Sequence, residues 1–511
     1  MKRILLIILV GLSSLQIIAQ DGSFDETFGT DGRILHSFSE YDTYARHMIT
    51  LSGGNFLITG FTSNHSSSAD NSGYISKHLP NGELDMTYGT DGVILFPYGN
   101  NGGSGMGGMT RLFDGKILLS GRINATSVII RLNRDGTFDT TFGDNGIVYP
   151  IWPGALGVQS DGRIISFSGF YDGFNLLYSC SRYYPDGSLD TSFGDNGTII
   201  TDITQYRFDY STAMVIQPDN KIVVVGRSYD SVYGYAVVSR FNSNGTRDTE
   251  FGTNGVQITP IGESPGHGFY NDVAIKDGKI IAVGGREYSG GTGGFGGEQS
   301  AIVKYNYDGT LDSTFGIDGQ VLLDPIFNAN DRINATLIQP EGEILVAGIS
   351  SFPFPETKTY INISRLDTDG NLDPGFGNNG VFLTDAFGSS TNGAYEMAFQ
   401  HDGKILVAGT SKAEFFNALI FRLNNDIIFG TEDSSKPELF IFPNPVINLL
   451  KIRAVDIINS VSISDVLGQE VSRLNVEALE TTVDMSRFTA GVYFVKVSFG
   501  NKNLIKKLIK K

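Results

Sequence analysis

The sequence predicts an all-β protein: a seven-bladed β-propeller that is closed by its N-terminal strand and followed by a small Ig-like β-sandwich. Three observations support this fold class. One twelve-residue motif recurs seven times, short β-branched runs alternate with turns, and no stretch has helical periodicity over the length that a helix needs. Glycine provides 64 of 511 residues, while 40% of the residues are hydrophobic and 11% are aromatic. That composition is typical of packed strands joined by tight turns rather than of a disordered chain.

The recurring motif defines the repeat. Its first copy runs from Asp21 to Gly32, and the other copies begin at residues 81, 135, 186, 244, 308 and 369. An aromatic residue at the eighth position is expected to fill the space between neighbouring blades. The fifth position is aspartate in every copy: Asp25, Asp85, Asp139, Asp190, Asp248, Asp312 and Asp373.

Each period also contains four short strands. In the first period they are A (45–51), B (55–60), C (74–79) and D (92–96). A turn such as Asp-Gly precedes each B strand, which is typical of a hairpin. Four-stranded units that repeat radially form a propeller, because neighbouring blades bury the apolar faces that a single blade leaves exposed. An open β-solenoid is the alternative, although its coils are usually shorter and more regular.

The two ends of the array complement each other. A D-like strand at 33–38 follows the first motif copy and has no A, B or C strand before it, whereas the last unit ends at residue 423 without a D strand. The N-terminal strand therefore fits the empty place in the seventh blade. Such a junction would hide two sheet edges and hold the ring closed.

Residues 21–425 resemble the delta-60 repeat family, because the seven copies follow its consensus D-G-x-[LF]-D-x-x-F-G-x-[DN]-G. The departures from the consensus are small. Arg247 replaces the apolar fourth residue of one copy, and Pro374 and Gly375 replace the usual polar pair of another. The resemblance implies propeller-like repeats in a bacterial surface protein, and it implies no particular activity.

A second domain follows the repeats. Residues 426–438 are predicted to be a linker, and residues 439–511 contain alternating strands typical of a compact β-sandwich. The terminal segment 504–511 is interpreted as a strand, with a membrane-surface peptide as the alternative. This tail resembles the type A C-terminal sorting domain of the type IX secretion system of Bacteroidetes-like bacteria. The residues that carry the resemblance include Pro443, Asn444, Pro445, Gly468, Gly491 and Tyr493. The resemblance implies that the type IX machinery is a partner of the tail, and that the protein is released or attached to the cell surface.

The N-terminus and the charge restrict the location and the partners. Residues 1–20 are predicted to be a signal peptide, because Lys2 and Arg3 precede a short apolar run and a small-residue cleavage zone. A membrane anchor is the alternative, but Ser13 and Ser14 interrupt the run, and no later segment is long and apolar enough to span a bilayer. A net charge of −17 would repel phosphate backbones, so nucleic acid is not expected as a partner. The protein is expected to be a monomer.

No catalytic residue, cofactor or metal site is predicted. The six histidines lack metal-ligand spacing, the single cysteine allows no intramolecular disulfide, and no nucleophile elbow or phosphate loop is present. The cysteine, Cys180, is expected to be a small buried residue. The motif aspartates are interpreted as structural residues that accept backbone N–H groups in their turns. Ca²⁺ binding by these carboxylates, together with neighbours such as Asp31 or Asn145, is the open alternative.

Strand alternation divides the connections between two faces of the propeller. The C–D motifs and the A–B turns share one face, the motif face, while the D–A and B–C loops share the other, the variable face. Aromatic rings beside Asn and Asp would suit an extracellular glycan or protein, although packing of the loops explains any single ring equally well. The candidate ligand-binding residues on the variable face are Tyr171, Tyr206, Tyr210, Tyr229, Tyr233, Phe269, Tyr270, Phe352, Phe354 and Phe415.

Two functions are open at this point. The favoured function is a secreted or cell-surface binding or scaffold protein whose ligand is a polysaccharide or a protein. The alternative is a polysaccharide lyase or hydrolase with acid/base carboxylates at the mouth of the pore. That alternative requires converging carboxylates and a perturbed pKa in a deep pocket.

Overall fold

The structure is a computed structural model, and it describes residues 20–38, 42–63, 71–96, 105–150, 152, 154–204, 206, 208–229, 233–262, 267–288, 297–326, 329–352, 358–386, 388–412, 414–425, 439–442, 444–499 and 502–511. Most of the predicted signal peptide, the predicted linker, Phe354 and Pro443 lie outside these residues. The described part of the chain has a single short 3₁₀ turn, Ser52–Gly54, and it has no helix long and apolar enough to cross a membrane. The predicted all-β class is confirmed.

Twenty-eight strands form the repeat region as far as the structure describes it. The first is β1 (Arg33–His36), and the next twelve are β2 (Asp42–Thr50), β3 (Phe56–Ser63), β4 (Ser72–His78), β5 (Val93–Phe96), β6 (Gly105–Arg111), β7 (Ile117–Ile123), β8 (Thr126–Leu132), β9 (Ile147–Val148), β10 (Ala155–Val158), β11 (Ile164–Tyr171), β12 (Leu176–Tyr183) and β13 (Thr198–Thr201). The remaining fifteen are β14 (Phe208–Ile216), β15 (Ile222–Tyr229), β16 (Gly234–Phe241), β17 (Val256–Thr259), β18 (His267–Lys276), β19 (Lys279–Tyr288), β20 (Gly297–Tyr305), β21 (Gln320–Leu323), β22 (Asn330–Ile338), β23 (Ile344–Ser351), β24 (Thr359–Leu366), β25 (Val381–Thr384), β26 (Thr391–Phe399), β27 (Ile405–Lys412) and β28 (Phe416–Leu423).

These strands pair as seven antiparallel units of four. Units 1 to 6 are β2–β5, β6–β9, β10–β13, β14–β17, β18–β21 and β22–β25, while unit 7 combines β26–β28 with β1. The first strands of consecutive units contact one another around the ring, and β26 of unit 7 contacts β2 of unit 1. The units are therefore blades around a central channel, with the first strand of each blade innermost.

The N-terminal strand closes the ring as predicted. β1 pairs antiparallel with β28, with Arg33 opposite Phe421 and His36 opposite Ala418. On the motif face, the backbone N–H of Gly377 in the seventh motif copy donates to the carbonyl of Asp21 in the first copy (2.8 Å). The chain thus joins its two ends through a strand pair and a motif-to-motif hydrogen bond, which covers the edge that β28 would otherwise expose.

The motif aromatics fill the interfaces between blades. All seven are buried, and Phe28 packs against Phe56 of blade 1 and Ile420 of blade 7. A Cβ at Gly82 would lie 2.8 Å from the Phe28 ring, so glycine is required where the next motif copy crosses this ring. Cys180 lies in the core shared by blades 3 and 4, as expected for a small buried residue.

The C-terminal tail is a separate all-β unit. Its two longest strands, 449–464 and 470–484, belong to a single bent five-stranded sheet, which replaces the two layers of the predicted sandwich. The backbone at Val446 also bridges to Lys510 on the last strand, which makes the sheet nearly closed around its own hydrophobic core. The five strands are β29 (Leu439–Phe442), β30 (Leu449–Ser464), β31 (Glu470–Asp484), β32 (Gly491–Phe499) and β33 (Lys502–Lys510).

Candidate functional site

Cationic side chains hold the motif aspartates. One carboxylate oxygen of Asp25 accepts the backbone N–H and the hydroxyl of Thr27 (3.2 and 2.8 Å). The other oxygen accepts Arg422 Nε and Lys404 Nζ, both at 2.6 Å. Burial alone would raise the pKa of Asp25, but the hydrogen bonds from Lys404 and Thr27 and the charge of Arg422 lower it to about 2. The aspartate therefore stays ionised and joins its turn to strands B and C of the blade.

The same arrangement recurs around the motif face. Ca²⁺ binding by these carboxylates stays the untested alternative to the predicted structural role, and the cations beside them argue against it, because a bound ion would lie next to like charges. Within the described residues, no three His, Cys, Asp or Glu side chains gather as metal ligands. Two cations contact Asp139 (Lys116, Arg131), Asp190 (Arg163, Arg182), Asp248 (Lys221, Arg240) and Asp312 (Lys279, Lys304), and one contacts Asp85 (Lys77) and Asp373 (Arg365).

Some of the predicted aromatic residues do lie at the variable face. Tyr171 is 55% exposed, and Phe415 is 41% exposed on the far side of the ring. On blade 4, Tyr210 packs edge-on against Tyr229 at 6.0 Å, and Tyr229 and Tyr233 both lie beside the ring of His267, at 6.1 and 6.3 Å. Arg227 lies over the rings of Tyr210 and Tyr229. These residues form one exposed aromatic group rather than a single site shared by all the predicted rings.

Other predicted rings have different surroundings. Phe269 and Tyr270 are 4% and 0% exposed, so the expectation that they offer a ligand surface is wrong. They belong to inner strand β18, and the Tyr270 hydroxyl bonds to that of Tyr305 within the core. Tyr206 stacks on Tyr235 at 5.3 Å, and half-buried Phe352 lies beside a shallow depression on blade 6.

The inner strands carry a feature that the sequence did not reveal. Six of the seven have a β-bulge, which leaves one residue without a partner on strand B and breaks the alternation of side chains. The described inner pair of blade 3 has no such irregularity. The six unmatched residues are Arg46, Gly107, Thr212, Asn271, Asn334 and Tyr395.

The side chains of three bulged residues each donate a hydrogen bond to a backbone carbonyl of the next blade, a contact that we call a clasp. Thr212 donates its hydroxyl hydrogen to the carbonyl of Tyr270 (2.7 Å). The side-chain amide of Asn271 donates to Ile333 O at 2.7 Å, and that of Asn334 donates to Ala394 O at 2.8 Å. These clasps hold blades 4 to 7 together around the channel. The described strands of blades 1 to 3 lack this clasp. The Arg46 side chain contacts aromatic rings instead, and Gly107 has no side chain. The described inner pair of blade 3 has no bulge.

A cavity opens where the clasps are missing. It has a volume of about 690 Å³ and is bordered by blades 1 to 4 near their variable-face ends. Glycines supply much of the wall, and Gly107 is exposed with no described atom within 4 Å of the place its Cβ would occupy. The volume falls in the range of about 300–1,000 Å³ that small-molecule sites usually have. Residues along the wall include Arg46, Phe61, Asn71, Gly105, Gly107, Ser120, Arg122, Gly154 and Thr212.

Arg46 is held against aromatic rings at this cavity. Its guanidinium lies 4.7 Å from the ring centroid of Tyr395 and 5.4 Å from that of Phe61. Tyr44 stacks on Phe61 at 4.8 Å and places a third ring within 6.0 Å of the guanidinium. Among the described residues, the rings orient Arg46 by cation–π contact, and no ion pair does so.

A polar group lies on the inner strands beside the cavity. His47 Nδ1 lies 3.2 Å from a carboxylate oxygen of Glu396. Asp272 accepts the backbone N–H groups of Thr336 and Val273, both at 2.8 Å. Burial and the nearby charge of Glu396 raise the pKa of Asp272 above its ordinary value. The described cavity wall includes His47 but neither carboxylate.

The sequence analysis did not identify the residues of the cavity, because they lie within strands rather than in loops. One signal was available. The inner strand of blade 2 contains Gly105, Gly107 and Gly108, and the register of the two blades places Tyr44, Arg46 and His47 at these positions in blade 1. A run of glycines in a predicted strand marks either a bulge or a close approach of a ligand or a backbone.

The predicted sorting residues hold turns and strand ends of the tail. The Asn444 side chain donates to Lys507 O (2.9 Å) and accepts the N–H of Ile509 (2.8 Å), so it ties this segment to β33. The Tyr493 hydroxyl donates to Thr489 O at 2.9 Å. Gly468 has a φ of 81° in the turn before β31, and Gly491 begins β32 opposite Lys510. Pro445 follows Asn444 directly.

Two family models match the chain. Residues 440–511 match the secretion system C-terminal sorting domain, and residues 114–142, 217–251, 276–315 and 339–376 match the DUF5122 β-propeller, a domain of unknown function. The chain is therefore a β-propeller protein with a C-terminal sorting domain. That sorting domain directs type IX export to the cell surface or to the medium, which confirms both resemblances and the predicted location. No curated protein sequence matches the chain.

Several solved structures match the chain at low identity and with TM-scores below 0.5. Drosophila Semaphorin 2a has 8% identity and a TM-score of 0.44, with 93% of this chain and 97% of that chain covered. PorZ, a surface component of the type IX secretion system of Porphyromonas gingivalis, has 9% identity and a TM-score of 0.20 over 91% and 81%. A quinonprotein alcohol dehydrogenase-like protein from Bacteroides thetaiotaomicron has 12% identity and a TM-score of 0.34 over 68% and 66%. The chain spans only 61% and 52% of two plexin A4 extracellular-region structures that it also matches.

Proposed function

We propose that this exported β-propeller is a binding protein that recognises a polysaccharide through the cavity on its variable face. The observation that carries the proposal is the cavity itself, which opens at the arc of the ring where the described inner strands lack their clasps. A wall of exposed backbone, hydroxyl and amide groups beside aromatic rings suits a sugar, because sugars offer hydroxyl groups at their edges and C–H groups on their faces.

The composition of the wall favours binding over catalysis. Ser120 and Asn71 provide polar side chains at the cavity, and Phe61 provides an aromatic face. The buried Oδ1 atom of Asn71 has no hydrogen-bond partner among the described residues. None of the described cavity residues is a carboxylate that could act as an acid or a base.

The proposal is tested by probing the full-length secreted protein on a glycan array that carries plant, algal and host polysaccharides. Binding of a restricted set of glycans, without release of product from them, supports the proposal. Absence of binding to every polysaccharide, together with capture of a protein ligand, would contradict it. In that case the exposed aromatic group of Tyr210, Tyr229 and Tyr233 is the surface to examine.

A polysaccharide hydrolase or lyase is the second candidate, and Asp272 is the observation that favours it. Its pKa is raised by burial and by the charge of Glu396, as is the pKa of an acid catalyst that sits beside a second carboxylate. Both Asp272 oxygens accept backbone N–H groups, however, and neither carboxylate is among the described residues that border the cavity. Formation of new reducing ends or unsaturated products from an array-positive glycan, abolished by Glu396→Gln, would favour the enzyme.

A further inference from the structure

The guanidinium of Arg46 has no carboxylate partner among the described residues. It touches three aromatic rings, and it makes no hydrogen bond or ion pair within the described part of the protein. A guanidinium that stacks on rings through its face keeps its N–H donors at the edge, where a planar carboxylate can accept two of them. The residue is therefore positioned and still has donors available at the cavity wall.

The buried arginines of the ring behave differently. Arg240 and Arg182 also lie over the motif aromatics Phe251 and Phe193, at 4.6 and 4.7 Å from the ring centroids. Each of them in addition donates its Nε hydrogen to a motif aspartate, Asp248 and Asp190 respectively. The repeat thus contains a standard arrangement of an arginine on a ring with a carboxylate at its edge. Within the described residues, Arg46 has the ring without the carboxylate.

From this comparison we infer that the missing carboxylate comes from the ligand, and that the cavity takes a carboxylated sugar unit of an acidic polysaccharide. The inference rests on the proposed function and narrows its ligand class. Arg122 is exposed at the same cavity and adds a second positive charge, in a protein whose net charge is −17. A locally positive cavity on an acidic protein would admit an anionic chain at this place and repel it elsewhere.

The neighbouring charges are compatible with an anion at Arg46. Glu396 is adjacent in sequence to Tyr395, but its carboxylate contacts His47 at 3.2 Å. That contact raises the pKa of His47 against the opposing effect of its burial, which favours the protonated imidazole. Asp272 accepts two backbone N–H groups and is not among the described residues that border the cavity. The described residues of the cavity wall are cationic or neutral.

The inference is tested with the ligand first and the protein second. Polygalacturonate and alginate oligosaccharides are compared, by calorimetry on the full chain, with the same oligosaccharides after reduction of their carboxyl groups to hydroxymethyl groups. We expect about a tenfold or greater loss of affinity on reduction, because a hydrogen bond to an ionised carboxylate is stronger than one to a neutral hydroxyl group.

On the protein side, Arg46→Met retains the apolar stem that packs on the rings and removes the charge. We expect a similar loss of affinity for the acidic oligosaccharides, while Arg46→Lys retains part of the binding. Arg134→Met is the matched control, because Arg134 lies on the motif face and donates to the carbonyl of Asp114. This control should leave both the affinity and the melting temperature unchanged.

The outcomes separate the inference from the function on which it rests. Equal binding of the acidic and the carboxyl-reduced oligosaccharides would overturn the role of Arg46 and leave the polysaccharide-binding function standing. Binding of acidic peptides and of no oligosaccharide would overturn both. A folded Arg46→Met variant with unchanged affinity for polygalacturonate or alginate would also overturn the inference, because it would show that the cation is not used.

Discussion

Arg422, on the last strand of the repeat region, donates its Nε hydrogen to the carboxylate of Asp25 in the first motif copy at a distance of 2.6 Å. The two residues are 397 positions apart in the sequence, and Asp25 is only 3% exposed. Lys404 donates to the same oxygen at 2.6 Å. The arrangement that stabilises the other blades locally therefore also joins the two ends of the ring.

Replacement of Asp25 by asparagine should weaken the closure. The amide can still accept a hydrogen bond from Thr27, but Arg422 and Lys404 lose their charged partner in a buried place. Loss of one member of a buried pair costs about 3–5 kcal/mol in the free energy of unfolding. The measurement is the urea midpoint of full-length Asp25→Asn against the parent protein.

Asp373→Asn provides the comparison for this change. The Asp373 side chain is 28% exposed, and Arg365 retains a second partner in Asp21. A partly exposed pair of this kind contributes about 1 kcal/mol or less. Equal losses in the two variants would show that the Asp25 pair has no special role in closing the ring.

The contribution of Asp25 should disappear in acid. Its pKa is about 2 in the folded protein and 3.8 as the ordinary value, so the folded state binds its proton less tightly. The stabilisation is then fully present above about pH 4 and is lost as the pH falls from about 4 toward 2. The difference in unfolding free energy between the parent and Asp25→Asn should be constant from about pH 7 to 4 and shrink below that range. A difference that already shrinks between about pH 7 and 5 would contradict this assignment.

Filling the cavity should abolish binding without unfolding the propeller. Gly107 lies in the wall, has no described atom within 4 Å of the position that a Cβ would take and does not have a left-handed φ, so Gly107→Leu extends into empty space without backbone strain. We expect binding of the array-positive glycan to fall at least about tenfold while the melting temperature stays within a few degrees of the parent. Gly491→Leu is the matched control, because Gly491 is equally unobstructed but lies in the tail. Unchanged binding by Gly107→Leu would place the ligand elsewhere.

Removal of the tail should change the location of the protein and not the fold of the ring. The tail has its own core, and residues 440–511 match the sorting domain. A chain that ends at residue 439 should accumulate inside the outer membrane of a bacterium with a type IX system, whereas a reporter fused to residues 440–511 should reach the surface or the medium. Fractionation and surface protease digestion measure both. Equal surface exposure of the truncated and full-length chains would contradict the prediction.

The sequence by itself determined the blades, the closing strand and the export domain. Each of these depends on local patterns that recur or that match a known domain: a motif aspartate with its turn, an aromatic at the eighth position of the motif, and a D strand without its own blade. Such patterns can be recognised in the sequence because each copy of the motif satisfies the same short-range constraints. Local patterns could not show that Arg422 of the last blade is a partner of Asp25, because the two residues come together only when the ring closes.

Only the tertiary structure decided where a ligand could bind. The cavity is bordered by the inner strands of four blades, and two of those strands contain bulges that shift the register by one residue. A hydrophobicity pattern does not show such a shift, which is why Tyr270 was expected at the surface and is buried, while Arg46 was overlooked. The contact between His47 and Glu396 joins residues 349 positions apart, and the same closure of the ring places Tyr395 beside Arg46. A site built from such distant residues exists only once the blades are packed around the channel.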